Sequence, residues 1–453
     1  MANQFPRGHK KLLKAWILYD WANSVYSLTI VSAVFPIFYG LLFKIADITH
    51  IQLFGIDFKN TAVITFVTSL AFLVVVLVSP ILSGIADYLG NKKTFMKFFC
   101  YLGAISCIGL YWFSLESIYF GLTCYFLGVV GFWGSIVFYN SYLPDIALPE
   151  QYDEVSAKGF IMGYLGCTTL LIFNLAMVMY PAFFGIGGDE TQATLTAMKI
   201  SFVTVGIWWI AFSQYSFRYL PDFEKGRGKI NKDIIFNGYK ELRGVWRKLK
   251  ESNRLKMFLF AFFVYSMGVQ TIMLVATYFG EQEIKWKGAE ERTLGLIISI
   301  LIIQIVAIFG AKLTVIAVKK IGQIPVLIAL NCIWIIICLV AYFIYLPIHF
   351  YATAMLVGMV MGGIQTLSRS TYSNYLPETK DTTSFFSFFD VAEKIGIVIG
   401  MGIYGAIDQF TNNMRNSVVF LVLFFGFGVF LLLKVLKMER RKMKLEKLQS
   451  NSD

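Results

Sequence analysis

Charge is what this chain has least of. Only 15% of its 453 residues are Asp, Glu, Lys or Arg, against roughly 25% in a soluble domain. So few charges cannot coat a folded exterior, and the remaining apolar surface needs lipid as its solvent. Histidine is scarcer still. His9, His50 and His349 are scattered, which argues against a His-based metal site, and no metal or cofactor is expected. The six cysteines (Cys100, Cys107, Cys124, Cys167, Cys332, Cys338) all fall in apolar runs with no metal-like CxxC pair; they read as small core- or lipid-facing residues. A Walker A loop is missing, which excludes an ATP-driven pump. No short signal peptide is visible either. Arg7, Lys10, Lys11 and Lys14 precede an apolar stretch too long for one, and that stretch reads as a first membrane span.

What is present is oil. Hydrophobic residues make up 57% of the chain, 43 of them Phe, and the mean hydropathy is +0.65. A helix needs about 20 apolar residues to cross the hydrocarbon layer. Such runs cover roughly 15–43, 61–86, 94–113, 117–142, 159–184, 196–220, 255–279, 293–318, 324–346, 348–375, 383–407 and 417–436. In lipid every backbone group must be satisfied internally, so spans are helices or closed barrels. Barrel strands are short and alternating; these runs are long and continuous. The expected fold is all-α integral membrane, with twelve transmembrane helices.

The net charge of +12 does not point to nucleic acid, because of where it sits. Lys and Arg gather at the N-terminus, after segment 2 (Lys92, Lys93, Lys97), after segment 6 and at the C-terminus (Arg440, Arg441, Lys442, Lys444, Lys447). Alternate loops hold Asp47, Asp57, Glu116, Asp189, Glu190, Glu281 and Glu283. This positive-inside bias places both termini in the cytoplasm, with the cell (inner) membrane as the expected location. The loop after segment 4 departs from the pattern with Asp145, Glu150, Asp153 and Glu154, but acids weigh little in the rule.

The longest polar stretch, 221–254, is basic and lies between six spans and six spans. The chain therefore divides into a tail (1–14), a six-helix bundle (15–220), a cytoplasmic linker (221–254), a second six-helix bundle (255–436) and a tail (437–453). The linker predicts an amphipathic helix on the inner membrane surface, using Ile234, Ile235, Tyr239, Leu242 and Trp246. A short repeat supports two pseudo-symmetric halves. Segment 4 ends Tyr139-Asn-Ser-Tyr-Leu-Pro-Asp145, and segment 10 ends Tyr372-Ser-Asn-Tyr-Leu-Pro-Glu378.

After segment 2 comes Gly84-Ile-Ala-Asp87-Tyr-Leu-Gly90-Asn-Lys92-Lys93. It resembles the signature loop of the major facilitator superfamily. A glycine allows close helix approach, and an acid complements the N-terminus of a neighbouring helix. The resemblance implies that Asp87 meets segment 11, whose Thr382, Thr383 and Ser384 are suited to cap it. Gly90 makes the turn, and Lys92 and Lys93 are expected on anionic headgroups. The second half retains only Lys319-Lys-Ile-Gly322, with a cation at the acid's place. Asp20-Trp-Ala-Asn-Ser24, Tyr142-Leu-Pro-Asp145, Gly163-Tyr-Leu-Gly166 and Gly362-Gly-Ile-Gln365-Thr-Leu-Ser368-Arg369-Ser370 resemble the vacuole-effluxer-like branch of that superfamily. That branch includes the autophagy-related vacuolar amino-acid exporter. The resemblance implies a secondary transporter, and an amino-acid solute.

In such a fold segments 1, 4, 7 and 10 line the central cavity. Each has a polar stripe at helical spacing: Asp20, Asn23 and Ser27; Phe132, Ser135 and Tyr139; Ser266, Gln270, Met273 and Thr277; Gly358, Gly362, Gln365, Arg369 and Tyr372. Helix–helix hydrogen bonding accounts for Ser, Thr and Asn equally well. Charges inside spans cost more, roughly 2.5–3.5 kcal/mol at a span centre. Asp20 and Arg369 sit at similar depth, one in each half, and read as a gate or a zwitterion clamp; snorkelling to the interface is the alternative. Segment 11 carries Asp390, Glu393 and Lys394. Buried carboxylates favour the neutral form, so Glu393 and Asp20 are proton-carrier candidates, with Asp390 and Lys394 an i, i+4 pair beside them. Gly396, Gly400, Gly402 and Gly405 predict close packing of segment 11.

The reading is a monomeric major facilitator transporter that moves a small solute by alternating access, coupled to a proton or another ion. The alternatives are export of another solute class, such as drugs or sugars, and a non-transporting membrane sensor. The Gly-Pro motif of drug antiporters is absent from segment 5. No catalytic cluster supports an enzyme.

Overall fold

The computed structural model describes residues 5–53, 55–222, 234–411 and 413–450. In chain order the long helices are α1 (Lys10–Ile45), α2 (Asn60–Leu89), α3 (Lys92–Gly109), α4 (Ile118–Ser141), α5 (Tyr152–Met179) and α6 (Glu190–Tyr219). After a linker helix at Ile234–Glu251 come α7 (Asn253–Glu283), α8 (Ala289–Ile321), α9 (Gln323–Ala341), α10 (Pro347–Tyr375), α11 (Thr382–Thr411) and α12 (Val422–Ser450). Among the described residues, eleven helices are long and apolar enough to span a membrane. The twelfth in the series is α11, 30 residues long. Asp390, Glu393 and Lys394 lower its hydropathy without shortening it.

Local chemistry sets the ends. Asp189 caps α6 by accepting from Gln192 N at 2.7 Å. Ser252 caps α7 through Leu255 N, and Pro347 opens α10, where a missing N–H costs nothing. Gly90 ends α2 in the left-handed region at φ 70°, its N–H on Ala86 O at 2.8 Å. The outer face of α2 exposes Phe66, Leu70, Leu73 and Leu77, spaced at about one helical turn, as a lipid-solvated helix requires.

Three features depart from the twelve simple rods of the sequence reading. Tyr26–Ala33 of α1 is π-helical. The loop between α1 and α2 forms an antiparallel hairpin of β1 (His50–Leu53) and β2 (Ile56–Lys59), with His50 opposite Lys59 and Leu53 opposite Ile56. The linker helix is amphipathic on two sides: Val245 and Leu249 are buried, whereas Phe236, Tyr239 and Trp246 are exposed. Linker residues 223–233 and the side chains of Ile234 and Ile235 lie outside the described set.

The chain forms two compact units. The first comprises Met1–Ile146, Met162–Tyr239 and Thr382–Ser387; the second comprises Ala147–Ile161, Lys240–Asp381 and Phe388–Asp453. The opening turns of α11 thus belong with unit 1, and those of α5 with unit 2.

Candidate functional site

In unit 1 the stripes of α1 and α4 meet. Asp20 is buried and accepts from the Tyr139 hydroxyl at 2.7 Å. Trp16 Nε1 donates to the Tyr139 carbonyl at 2.8 Å, and the two rings stack at 4.6 Å. Tyr139 is held at both its backbone and its ring, so its hydroxyl is fixed on the carboxylate. Asn23 is buried one turn on. Its Oδ1 accepts from Ser24 Oγ at 3.4 Å, and its Nδ2 has no partner among the described residues. Ser135 and Ser27 use their hydroxyls within their own helices, on Phe132 O and Ser24 O. Ser27 lies in the π-helical segment that begins at Tyr26.

The loop after α2 is also in unit 1. The Asp87 carboxylate accepts from Thr383 N at 3.2 Å and Ser384 N at 2.6 Å. It caps two of the amides that an α-helix leaves open at its start. Lys92 and Lys93 do not lie on headgroups: they are 4% and 8% exposed. Lys92 pairs with Asp145, donates to Ser141 O at 3.1 Å and Thr382 Oγ1 at 3.2 Å, and lies 4.4 Å over the Tyr142 ring. Lys93 donates to Leu220 O at 2.9 Å and Asp222 at 3.1 Å. Buried charges need partners, and sequence position alone gave no sign of these acids. Gly84 faces the backbone of Gly238 in the linker helix, where a Cβ would collide with the Gly238 carbonyl.

Unit 2 gathers the charges of α11. Lys394 is fully buried, paired with Asp390 and, at 3.0 Å, with Glu393. Glu393 also accepts from Gln270 Nε2 at 2.7 Å, so it has a partner on α7 as well as Lys394 on its own helix. Gln365 Nε2 reaches Met273 Sδ at 3.7 Å, bringing the α10 and α7 stripes together. Thr277 is half-buried, and Ser266 donates to Phe263 O. Arg369 is buried. Its Nε donates to Ser156 Oγ at 3.0 Å and its Nη2 to Ser156 O at 2.9 Å, with the guanidinium 4.1 Å from the Phe160 ring centre. Asp20 belongs to unit 1 and Arg369 to unit 2.

Several expected glycines take other roles. Gly358 and Gly362 face α8, against Ile303 and Ala307 backbone, rather than a cavity. Gly400 packs against Met267 and Thr271 of α7, and Gly396 lies near Ser266, while Gly402 and Gly405 meet nothing within 4 Å of a built Cβ. The close packing expected of all four on α11 thus holds for the first two.

The acids that broke the charge rule have structural uses. Asp145 holds Lys92, Asp153 accepts from Gln323 Nε2 at 2.7 Å, and Glu154 pairs with Lys158 at 2.6 Å. Sequence reasoning also missed Arg415. It is buried, bonded to Glu283 Oε2 at 2.7 Å and to the Glu283, Ala341 and Tyr342 carbonyls, and lies 4.0 Å over Tyr345. Its lone cationic position at a loop gave no signal of this.

Among the described residues, twelve long helices with these internal latches have the architecture of a major facilitator transporter. Solved members superpose over nearly the whole chain. The Escherichia coli fucose:proton symporter in its outward conformation gives a TM-score of 0.66 at 14% identity, covering 94% of this chain and 97% of its own. The human organic anion transporter MFSD10 gives 0.67 at 10% identity, over 93% and 99%. The chain belongs to the "Vacuole effluxer Atg22 like" family, whose profile matches residues 8–446. It is 30% identical to the uncharacterized MFS-type transporter YxiO of Bacillus subtilis, over 92% of this chain and 93% of that one. It is 24% identical to autophagy-related protein 22 of Kluyveromyces lactis, over 92% of each.

Proposed function

We propose that this transporter exports amino acids by alternating access, driven by protons. The observation that carries the reading is a pair of buried opposite charges, Asp20 in unit 1 and Arg369 in unit 2. A carboxylate suits an ammonium and an Arg fork suits a carboxylate, so each unit carries one half of the chemistry that a zwitterion presents. Tyr139, Asn23 and Ser135 in unit 1, and Gln270 and Gln365 in unit 2, are the neutral polar side chains that solute contact would use within each unit. The effluxer description of the family supports export, and an amino-acid solute is the narrower inference. Asp87, Gly84, Gly90, Lys92 and Lys93 serve as the conformational lock: the Asp87–α11 cap must open and reform in each cycle, a two-state contact that solute binding biases by differential affinity.

Coupling resides in Asp390, Glu393 and Lys394. Gln270 and Lys394 address the two oxygens of Glu393, so a proton there alters contacts to both α7 and α11. Both termini and the linker face the cytoplasm in this reading, and the protein acts as a monomer in the inner membrane.

The test is counterflow of labelled solute in proteoliposomes, after a thermal-shift screen of amino acids, sugars, nucleosides and organic acids. Amino acids alone should raise Tm and exchange. Asp20→Asn and Arg369→Gln should each abolish the Tm shift. Glu393→Gln should retain solute exchange while losing acceleration by an imposed pH gradient. Exchange of sugars instead, or a Glu393→Gln protein still driven by the gradient, rejects the corresponding part.

A further inference from the structure

Where α7 begins and the apolar length of α12 ends, unit 2 holds a cavity of about 330 Å³ lined by Ser252, Asn253, Arg254, Met438 and Lys442. Two of these five side chains are cations and none is an acid. Glu439, three residues before Lys442, accepts from the Tyr375 hydroxyl at 2.5 Å. The Arg254 guanidinium lies 4.3 Å from the centre of that Tyr375 ring. Stacking on an aromatic face orients the planar fork that makes Arg a good phosphate ligand.

The position matters as much as the charge. The apolar run of the last span covers 417–436 and that of α7 begins near 255, so the cavity lies just beyond both ends. On the same two helices Phe260 and Phe427 are exposed large apolar residues with rings 6.2 Å apart, and between them and the cavity Lys434 lies 4.3 Å over the Phe430 ring. A cationic cavity at the end of a span, adjoining an apolar lipid-facing surface, is complementary to one molecule with an anionic head and acyl tails. A soluble phosphate would use the cavity and leave the aromatic surface unexplained.

We infer that this cavity binds the phosphate of an anionic phospholipid headgroup, with the acyl chains along the Phe260–Phe427 surface. Arg254 and Lys442 neutralise the phosphate, Ser252 and Asn253 supply neutral donors, and the bound lipid ties the start of α7 to the end of α12. The site is independent of the transported solute and of the coupling residues.

The experiment uses the purified full chain in detergent, titrated with short-chain phosphatidylglycerol, short-chain phosphatidylcholine or inorganic phosphate, with Tm as the readout. Phosphatidylglycerol should raise Tm, and the other two should not. Arg254→Gln with Lys442→Gln should weaken phosphatidylglycerol binding roughly tenfold or more. Arg440→Gln with Arg441→Gln removes two cations as well, both from α12 and outside the cavity lining, and binding should stay within about twofold. Arg254→Lys should retain most of it. Should the first double variant not fold, Lys442→Gln alone, at an exposed position, reads the same loss. Equal loss in both double variants, an equal shift with inorganic phosphate, or no shift with phosphatidylglycerol overturns the inference.

Discussion

The loops after α2 and α8 occupy matching places in the two halves, yet they treat the neighbouring helix in opposite ways. After α2 an acid, Asp87, lies on the first amides of α11. After α8 the corresponding residue is Lys319, and the loop instead offers Gln323 to Asp153 at the start of α5. The difference lies in the helices addressed. The first turn of α5 carries its own acids, Asp153 and Glu154, while the first turn of α11 has none. A helix start is stabilised by negative charge whatever its source. Where the helix brings its own acid, the loop needs a donor or a cation; where it brings none, the loop must supply the acid. The second loop is therefore a charge-inverted counterpart of the first rather than a decayed copy.

The largest effect that sharpens this contrast should come from the lysine. Lys92→Ala leaves Asp145 without its buried cation and should lower stability by about 3–5 kcal/mol, against about 1 kcal/mol for Gln323→Ala, which removes one neutral donor. Thermal unfolding of the two purified variants compares them, and similar losses would break the asymmetry. The glycines come next. Gly90 sits at φ 70°, ψ 27°, which Asn tolerates, whereas Gly322 sits at φ 86°, ψ 168°, a region close to glycine-only. Gly322→Asn should cost about 1–3 kcal/mol and Gly90→Asn clearly less, by the same assay. The smallest stability effect concerns the caps. Asp87→Ala should cost about 1–2 kcal/mol, the value of a lost cap, and Asp153→Ala about half that, because Glu154 remains in the turn. Equal losses would mean that α11 does not depend on a borrowed acid.

Much of this was legible in the amino-acid order because lipid imposes a coarse code. Long apolar runs gave the spans, and the Gly84–Lys93 motif gave the Asp87 cap on Thr383 and Ser384. Asp20 and Tyr139 fell on inward stripes and met. What could not be read was pairing set by tertiary approach. Lys92 looked like a headgroup anchor until Asp145 and Thr382 were placed beside it, and Gly358 and Gly362 looked like cavity wall until α8 lay against them. The π-helical segment of α1 left no mark in hydropathy, since Tyr26–Ala33 is as apolar as an α-helical span. The hairpin at His50–Lys59 was hidden in the short loop between Ile45 and Asn60.

The group of Asp390, Glu393 and Lys394 has an electrical consequence. When ionised, two carboxylates around one ammonium leave this group with an excess of one negative charge. A potential of 100 mV acts on one elementary charge with about 2.3 kcal/mol across the full field. On the proposed mechanism a proton bound here cancels that excess, so the voltage acts through this group on the deprotonated stroke and not on the protonated one.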